Sequence, residues 1–455
     1  MFESLENILD SNKYLNIIQT SKQSIVISVT VGLFLENMLT TVVYPIMPEI
    51  LSDLEINVTK SNVSSIINSS TVEKPQENLF EVVIKVNAEE STSDDHFKVG
   101  IILASKSIIQ IFANPFVGCA TNRIGYRMVL VCGFTVLSIS TLAFAFGTSY
   151  FWLLFARAFQ GIGSSCIRVA GIAVIAHSFP DHKERGIIMG YVISGGLALG
   201  IVLGPTFGAL MYEFVGRSSP FLVLALISFF TLLLQMCVTY PEIEMNSEEN
   251  DCWSIGQLLL DPYIMIISGS LMLSNMIVAI LESSLPMIMK AHMDVEIWQI
   301  GMTFLPDSIS FMIGACIFGR TFSCIGRPMM SFLGMLLMGG SVVAVTLIYI
   351  PELLVLPMSL HGFGAAMVDS NMIPELGNRV DLNHSSKYLH AYAIGDIALC
   401  AGFAIGPVLA GTLSEYVGFV WMAVTPFLIC LSYGPLFFVL KSTEYSPVAN
   451  DQIED

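Results

Sequence analysis

The chain alternates long apolar runs with short polar connections from residue 24 to residue 440. Twelve of the runs reach about 20 residues, the length that an α-helix needs to cross the hydrocarbon core of a bilayer. The pattern therefore predicts an all-α polytopic membrane protein with twelve transmembrane helices. Their approximate limits are 24–47, 98–118, 128–147, 151–178, 186–211, 219–240, 263–290, 299–324, 328–350, 352–377, 388–413 and 419–440.

Composition narrows the class of protein. Hydrophobic residues form 54% of the chain and charged residues 13%, about half the charged fraction of a soluble domain, so a soluble enzyme is excluded. The net charge of −17 lies in connections and tails and does not predict a nucleic-acid partner. The nine cysteines show no CxxC or Cys/His ligand spacing, and we expect neither a metal site nor a cofactor.

Lysine and arginine in the short connections predict the orientation, because cytosolic connections carry the excess of positive charge. The side opposite the cytosol receives only Arg217 and Lys290 in short connections. We therefore expect the N-terminus, 1–23, and the tail, 441–455, to be cytosolic. On that side lie Lys13, Lys22, Arg123, Arg127, Lys183, Arg185, Arg320, Arg327, Arg379, Lys387 and Lys441.

The longest connection, 48–97, is polar and acidic and falls on the luminal side of this topology. It contains three N-x-S/T sequons, at Asn57, Asn62 and Asn68, and we expect these asparagines to be glycosylated. A glycosylated luminal loop indicates a membrane of the eukaryotic secretory pathway.

Two glycine motifs occur twice, each time about 200 residues apart. The first follows the second and eighth spans, and the other closes the fifth and eleventh spans. Two unrelated motifs with one offset predict a duplicated unit, with halves at 24–240 and 263–440 joined by a cytosolic linker at 241–262. The corresponding pairs are Gly118/Gly319, Gly125/Gly326, Gly204/Gly406 and Pro205/Pro407.

Four acidic side chains lie inside apolar runs: Glu36, Glu282, Asp369 and Asp396. A carboxylate at bilayer depth costs about 3 kcal/mol on insertion scales, so proteins keep one for a cation, a proton or an internal partner. A buried carboxyl can bind a protonated amine and can also exchange it for a proton. This set of acids is the strongest functional signal in the sequence.

Arg157-Ala158-Phe159-Gln160-Gly161 in the fourth span resembles the proton-antiporter branch of the major facilitator superfamily. Further motifs resemble the vesicular amine transporter family within it: Glu36-Asn37-Met38-Leu39, Asp261-Pro262-Tyr263, Phe304-Leu305-Pro306 and Tyr392-Ala393-Ile394-Gly395-Asp396. The resemblance covers nearly all of the membrane-embedded chain, and the surroundings of Glu282 and Asp369 look closer to the monoamine carriers than to the acetylcholine carrier.

The resemblance implies the major facilitator fold and alternating access by rocking of two six-helix halves. It also implies a monomeric antiporter that exchanges a cytosolic cationic amine for protons across a secretory or synaptic vesicle membrane. No enzyme chemistry or cofactor belongs to this cycle. Its partners are the amine, protons and the lipid bilayer.

Roles in the substrate site follow from the same resemblance. Glu36 matches the amine-binding carboxylate, and the other members of the expected site are Asn37, Asn275, Glu282, Phe304 and Phe311. For the polar members the alternative is a structural hydrogen bond between helices.

Coupling and gating roles are likewise implied by the resemblance. Asp369 matches a proton-coupling carboxylate, Lys106 and Asp396 match an ion pair between the second and eleventh spans, and Arg157 matches a proton relay. Alternatively, Asp369 neutralises a fixed cation, with Arg168 predicted at similar depth, and Arg157 binds backbone carbonyls.

The glycine motifs have predicted mechanical roles. Arg123 and Arg127 are expected to form a cytosolic latch between spans, with Gly118 and Gly125 allowing the helices to approach closely. In the fifth span, Gly204 and Pro205 are expected to permit close packing and bending.

The chain also departs from the family pattern. Glu36 stands where the family has aspartate, and Phe311 and Phe403 stand where the monoamine carriers have tyrosines. Arg168 and Asp307 add charges where the family is small or apolar, and an extra cation would repel a protonated amine unless it were neutralised internally. Alternatives therefore stay open: the same fold exporting acetylcholine, a polyamine or a xenobiotic cation, or a receptor or scaffold that does not transport.

Overall fold

The computed structural model describes residues 22–54, 77–179, 188–189, 191–238, 240, 260–293, 295–318, 326–383 and 388–444. Within these ranges, twelve helices are long and apolar enough to cross a membrane, as the hydropathy pattern predicts. The protein is an integral, multi-pass membrane protein. The sequons at Asn57, Asn62 and Asn68, most of the 241–262 linker, and the terminal segments 1–21 and 445–455 lie outside the described residues.

The membrane helices are numbered α1 to α12 in chain order. A π-helical turn, Ile193–Ala198, precedes α5, and a 3-10 turn, Pro351–Leu354, precedes α10. The helices are α1 Lys22–Thr41, α2 Glu77–Ile124, α3 Tyr126–Ala145, α4 Tyr150–Ser178, α5 Leu199–Phe214, α6 Ser219–Cys237, α7 Pro262–His292, α8 Ile297–Phe318, α9 Arg327–Leu347, α10 Val355–Asn383, α11 Tyr388–Tyr416 and α12 Phe419–Glu444.

Two helix limits differ from the hydropathy pattern for identifiable reasons. Helix α1 ends at Thr41 rather than near residue 47, because Pro45 cannot continue a helix and the chain turns over 42–46. Helix α2 begins at Glu77, well before its membrane part at His96–Thr121. Residues 77–95 contain no glycine or proline to break the helix, although their polarity places them outside the apolar span.

Each half of the chain has its own apolar core. The first buried cluster comes almost entirely from residues 25–240, and the second comes from residues 264–440. This division agrees with two six-helix halves, α1–α6 and α7–α12.

The repeated glycines adopt matching backbone conformations in the two halves. Gly125 and Gly326 have φ angles of 85° and 84°, and Gly216 and Gly418 have φ angles of 124° and 91°. Positive φ is costly for residues with a Cβ atom, so these turns require glycine. The sequence repeat therefore corresponds to a repeated turn geometry at equivalent helix ends.

The two halves meet closely at one side of the membrane. We call this side the loop face. It consists of the helix ends that adjoin the connections 42–76, 146–149, 215–218, 293–296, 348–350 and 417–418. A Cβ atom on Gly100 of α2 would lie 2.4 Å from the Pro407 carbonyl oxygen of α11, and one on Gly301 of α8 would lie 3.0 Å from the Pro205 carbonyl oxygen of α5. Small residues thus bring the backbones of the two halves together at the loop face.

Polar contacts reinforce this closure. The Thr206 hydroxyl donates to the Gly301 carbonyl oxygen at 3.3 Å, and Lys290 of α7 pairs with Glu49, which follows α1. Both charged side chains of the Lys290–Glu49 pair are about one third exposed, so the pair contributes modestly to stability. The structure consequently represents a state that is closed at the loop face.

Helix α5 packs along α1 through its glycines. A Cβ atom on Gly204 would lie 1.9 Å from the Thr41 hydroxyl oxygen, so no larger residue fits here without a shift. The neighbouring Pro205 presents its carbonyl oxygen to α8. Gly204 and Pro205 therefore lie where the first helix and the second half both contact α5, and their role in bending stays a prediction.

Candidate functional site

The buried carboxylate of Glu36 binds two cations. Glu36 lies on α1 and is fully buried. The Lys106 ammonium of α2 donates to Glu36 Oε1 at 2.7 Å, and the Arg168 guanidinium of α4 donates to Glu36 Oε2 at 2.9 Å. Lys106 also donates to the Thr40 hydroxyl. Both carboxylate oxygens are thus satisfied by charge-assisted hydrogen bonds, which are about twice as strong as neutral ones.

Arg168 extends this contact to the second half of the protein. Its Nη1 atom lies 3.2 Å from Asp396 Oδ1 of α11, and its Nη2 atom lies 3.4 Å from the side-chain oxygen of Asn37. The planar, forked guanidinium can hold two carboxylates at once, which a lysine ammonium does less well. We call Glu36, Lys106, Arg168 and Asp396 the central ion network.

The other oxygen of Asp396 is held by the first half as well. Asn114 of α2 donates to Asp396 Oδ2 at 2.7 Å, and Ser165 of α4 donates to the Asn114 side-chain oxygen at 2.7 Å. Asp396 therefore receives one charged and one neutral donor from across the boundary between the halves, and the Cys400 thiol of its own helix lies 3.8 Å from the same Oδ2 atom.

The predicted ion pair between Lys106 and Asp396 is wrong in this state. Lys106 binds Glu36 and Thr40, and Arg168 takes the position next to Asp396. The alternative pairing of Arg168 with Asp369 is also absent, because the described partners of Arg168 are Glu36, Asn37 and Asp396. Arg168 is nevertheless neutralised internally, as the energetic cost of an unpaired cation in a membrane requires.

Arg157 binds the backbone of α1. The guanidinium donates to the carbonyl oxygens of Leu39 at 3.0 Å and Thr40 at 2.9 Å, and to the Gln160 side-chain oxygen at 2.8 Å. The side chain is almost completely buried. These contacts are the ones expected of a structural arginine, and the relay role stays a prediction.

Three acids outside the central ion network have a buried oxygen without a hydrogen-bond partner among the described residues. They are Glu282 on α7, Asp369 on α10 and Glu415 at the end of α11, and only Glu282 and Asp369 belong to the predicted set. The Tyr44 hydroxyl is a hydrogen-bond partner of the Glu282 carboxyl, and Asp307 of α8 is a nearby acid. A buried carboxyl of this kind gains most from a bound proton or cation.

The remaining predicted site residues are spread over the interior. Asn37 and Asn275 are buried, and each donates to a carbonyl oxygen of its own helix, Leu33 at 2.7 Å and Leu271 at 2.9 Å. Phe304 is buried where α8 breaks, between Ile297–Thr303 and Leu305–Phe318. Phe311 is half-buried against the core of the second half, so the structure does not bring it to the central ion network through any recorded contact.

Sequence reasoning missed two members of the interior polar system. His361 of α10 is buried and its Nδ1 atom lies 2.7 Å from Asp307 Oδ1, which gives the extra acid on α8 a partner. The other is Asn114 of α2, whose amide binds Asp396. Both contacts join residues far apart in the chain, and no spacing in the sequence indicates them.

The turn after α2 differs in detail from its predicted role. Arg127 donates to the Met236 carbonyl oxygen and ties the start of α3 to the end of α6, while Arg123 is exposed. A Cβ atom on Gly118 or Gly125 would meet nothing within 4 Å. Close helix approach therefore does not explain these glycines, and at Gly125 the positive φ angle does.

Comparison with known proteins now defines the class. The model of the Major Facilitator Superfamily matches residues 29–385, so the chain belongs to that superfamily. The crystal structure of the human organic anion transporter MFSD10 (TETRAN) is similar in fold, with a TM-score of 0.65, 18% identity, and coverage of 92% of this chain and 100% of that chain.

Sequence relatives identify the family within this class. The chain is 38% identical to the chromaffin granule amine transporter of Homo sapiens, over 96% of this chain and 91% of the relative. It is 37% identical to the synaptic vesicular amine transporter of Homo sapiens, over 93% of this chain and 88% of the relative. The vesicular acetylcholine transporter of Drosophila melanogaster is 32% identical, over 94% of this chain and 74% of the relative. The protein belongs to the vesicular amine transporter family.

Proposed function

We propose that the protein is a proton-coupled antiporter that moves a cationic amine from the cytosol into an acidic secretory or synaptic vesicle. The family supplies the class of substrate, because relatives that are 38% and 37% identical over 96% and 93% of this chain are named as amine transporters. Cytosolic termini, the luminal loop face and a functional monomer belong to the same proposal.

The observation that carries the proposal is the division of the four acids of the apolar runs, Glu36, Glu282, Asp369 and Asp396, into two groups. Glu36 and Asp396 are neutralised by fixed cations that join helices and halves. Glu282 and Asp369 each keep a buried oxygen without a partner. Glu36 is committed to contacts within the first half and Asp396 to the contact between the halves, whereas the second group is free to bind a proton or a cation and to release it.

Alternating access explains how such acids could couple two fluxes. In the state described, contacts at Gly100, Gly301 and Lys290 close the loop face. Rocking of the halves must separate these contacts, and the same movement must stretch the Arg168–Asp396 pair. A carboxyl that meets the two sides of the membrane in turn can bind an amine on one side and a proton on the other.

The test is uptake of labelled cations into proteoliposomes with an acidic lumen. The panel contains a monoamine, acetylcholine, a polyamine and a xenobiotic cation. We expect amine uptake that collapses when a protonophore dissipates the proton gradient. Uptake that is indifferent to the collapsed gradient would overturn antiport, and uptake of a different cation would identify one of the alternative substrates.

A variant pair separates a transporter from a scaffold. We expect Glu36→Gln to abolish uptake, and Glu213→Gln to leave it unchanged because Glu213 is an exposed carboxylate on α5. Absence of uptake by the wild type, together with its correct folding, would favour the receptor or scaffold alternative.

A further inference from the structure

The central ion network is already balanced, with two carboxylates and two cations. Glu36 has Lys106 and Arg168, and Asp396 has Arg168 and the amide of Asn114. A third cation that entered this network would compete with Lys106 or Arg168 for a carboxylate. The network would then hold three cations and two carboxylates, and an excess of positive charge at this depth in the membrane is unfavourable.

The most exposed member of the network is a cation and not a carboxylate. The Arg168 side chain is 15% exposed, compared with 10% for Asp396, 5% for Lys106 and 0% for Glu36. An arriving substrate therefore meets a guanidinium first. A guanidinium is a two-pronged donor that matches the geometry of a carboxylate.

We propose that the substrate carries a carboxylate in addition to its ammonium group, as an amino acid zwitterion does. The substrate inserts between Arg168 Nη1 and Asp396 Oδ1, the longest of the ionic contacts in the network at 3.2 Å. Its carboxylate accepts hydrogen bonds from Arg168, and its ammonium donates to Asp396. Glu36 keeps Lys106 and continues to hold the second nitrogen of Arg168.

Insertion of a zwitterion preserves the charge balance that a simple monoamine would disturb. One direct ion pair is replaced by two, and no buried charge loses its partner. The substrate also takes over the contact between α4 and α11, so it substitutes for the direct link between the halves. This inference rests on the proposed function, because it assumes that the site between the halves carries the transported amine.

The experiment compares amines with their carboxylated counterparts. Histamine and histidine, and tyramine and tyrosine, differ only by the carboxylate. Proton-driven uptake and mutual competition are measured in proteoliposomes, and thermal stabilisation of the purified wild type by each compound is measured independently. We expect the zwitterion to compete at a concentration at least 10-fold lower and to stabilise the protein more than its amine does.

Variants of Arg168 test the residue that is responsible. We expect Arg168→Gln to reverse the preference toward the amine, and Arg168→Lys to give a smaller zwitterion preference because the two-pronged geometry is lost. Arg217→Gln removes an arginine that binds the Gly147 carbonyl oxygen elsewhere, and it should leave the ratio unchanged.

The outcomes separate this inference from the proposed function. Proton-driven uptake of the amine, with equal or weaker competition by the zwitterion in the wild type, would overturn the inference and leave the proposed function intact. Absence of proton-driven uptake of both compounds would overturn the proposed function and the inference together. If Arg168→Gln fails to fold, the competition and thermal-stabilisation measurements on the wild type decide whether the zwitterion is preferred.

Discussion

The guanidinium of Arg168 on α4 lies 3.2 Å from the carboxylate of Asp396 on α11, and this contact joins the two halves inside the membrane. The same guanidinium holds Glu36 on α1 at 2.9 Å. One side chain therefore links a helix–helix contact within the first half to a contact between the halves. A movement that separates α4 from α11 must exchange this ion pair for another partner.

Removal of Arg168 should destabilise the protein through the charges that it leaves behind. We expect Arg168→Gln to cost about 3 kcal/mol, because breaking a buried pair strands the remaining charge. Asp396 would keep the Asn114 amide and a weak contact with the Cys400 thiol, and neither donor is charged. The measurement is unfolding of the purified protein in detergent by heat or denaturant.

A double variant checks that explanation. Arg168→Gln combined with Asp396→Asn removes both members of the pair, and we expect it to recover at least about 1 kcal/mol relative to the sum of the single losses. Strictly additive losses would show that the pair is not the cause.

Replacement of the acids that have a partnerless oxygen should affect transport more than folding. We expect Asp369→Asn and Glu282→Gln to change the free energy of unfolding by less than about 1 kcal/mol, because neither variant strands a buried cation. Proton-driven uptake should be lost for Asp369→Asn, since an amide cannot exchange a proton. Substrate exchange without a proton gradient should persist.

The comparison with Glu213→Gln controls for loss of a carboxylate in general. Full proton-driven uptake by Asp369→Asn would remove Asp369 from the coupling mechanism.

The repeated glycine turns should have equal costs in the two halves. We expect Gly125→Ala and Gly326→Ala each to destabilise the protein by about 1–2 kcal/mol, because a Cβ atom is unfavourable at φ angles of 85° and 84°. Unfolding in detergent measures this cost.

Gly118→Ala is a matched control in the same motif. Gly118 lies within α2, and a Cβ atom there would meet nothing within 4 Å. Alanine should be neutral or stabilise by up to about 1 kcal/mol through its higher helix propensity. A loss equal to that of Gly125→Ala would mean that Gly118 has a contact absent from this state.

A covalent cross-link between the two halves should hold the loop face in its closed state. Glu49 and Lys290 lie on opposite halves and form an ion pair there. We expect a Glu49→Cys, Lys290→Cys variant treated with a short bifunctional maleimide to cross-link and to lose uptake, because the halves can no longer separate at this end. Each single variant, treated in the same way, controls for the native cysteines. Unchanged uptake after complete cross-linking would show that this face does not open during transport.

The depth of the buried charges could be predicted from the sequence, but their partners could not. Glu36, Glu282, Asp369 and Asp396 lie in apolar runs, and hydropathy places each within a span. Lys106 and Asp396 were predicted as partners, whereas Lys106 binds Glu36. The pairing depends on how each helix is rotated and on which helices are neighbours, and hydropathy contains neither quantity.

For the turn glycines, too, the sequence shows which positions are equivalent, and only the structure shows why they are glycine. The repeat at an offset of about 200 residues is enough to mark Gly125 and Gly326 as equivalent. The reason for glycine became clear only from the backbone, where a positive φ angle, and not a close neighbour, requires it. A glycine in a sequence is compatible with either cause, a positive φ angle or a close neighbour.

The sequence alone determined the twelve spans, the duplicated architecture and the presence of costly charges in the membrane, because the exclusion of polar groups from lipid acts on each segment separately. The tertiary structure decided that Arg168 lies between Glu36 and Asp396, 132 and 228 residues away along the chain. A guanidinium pairs with whichever carboxylates the packed helices bring within about 3 Å, and only the packing sets those distances.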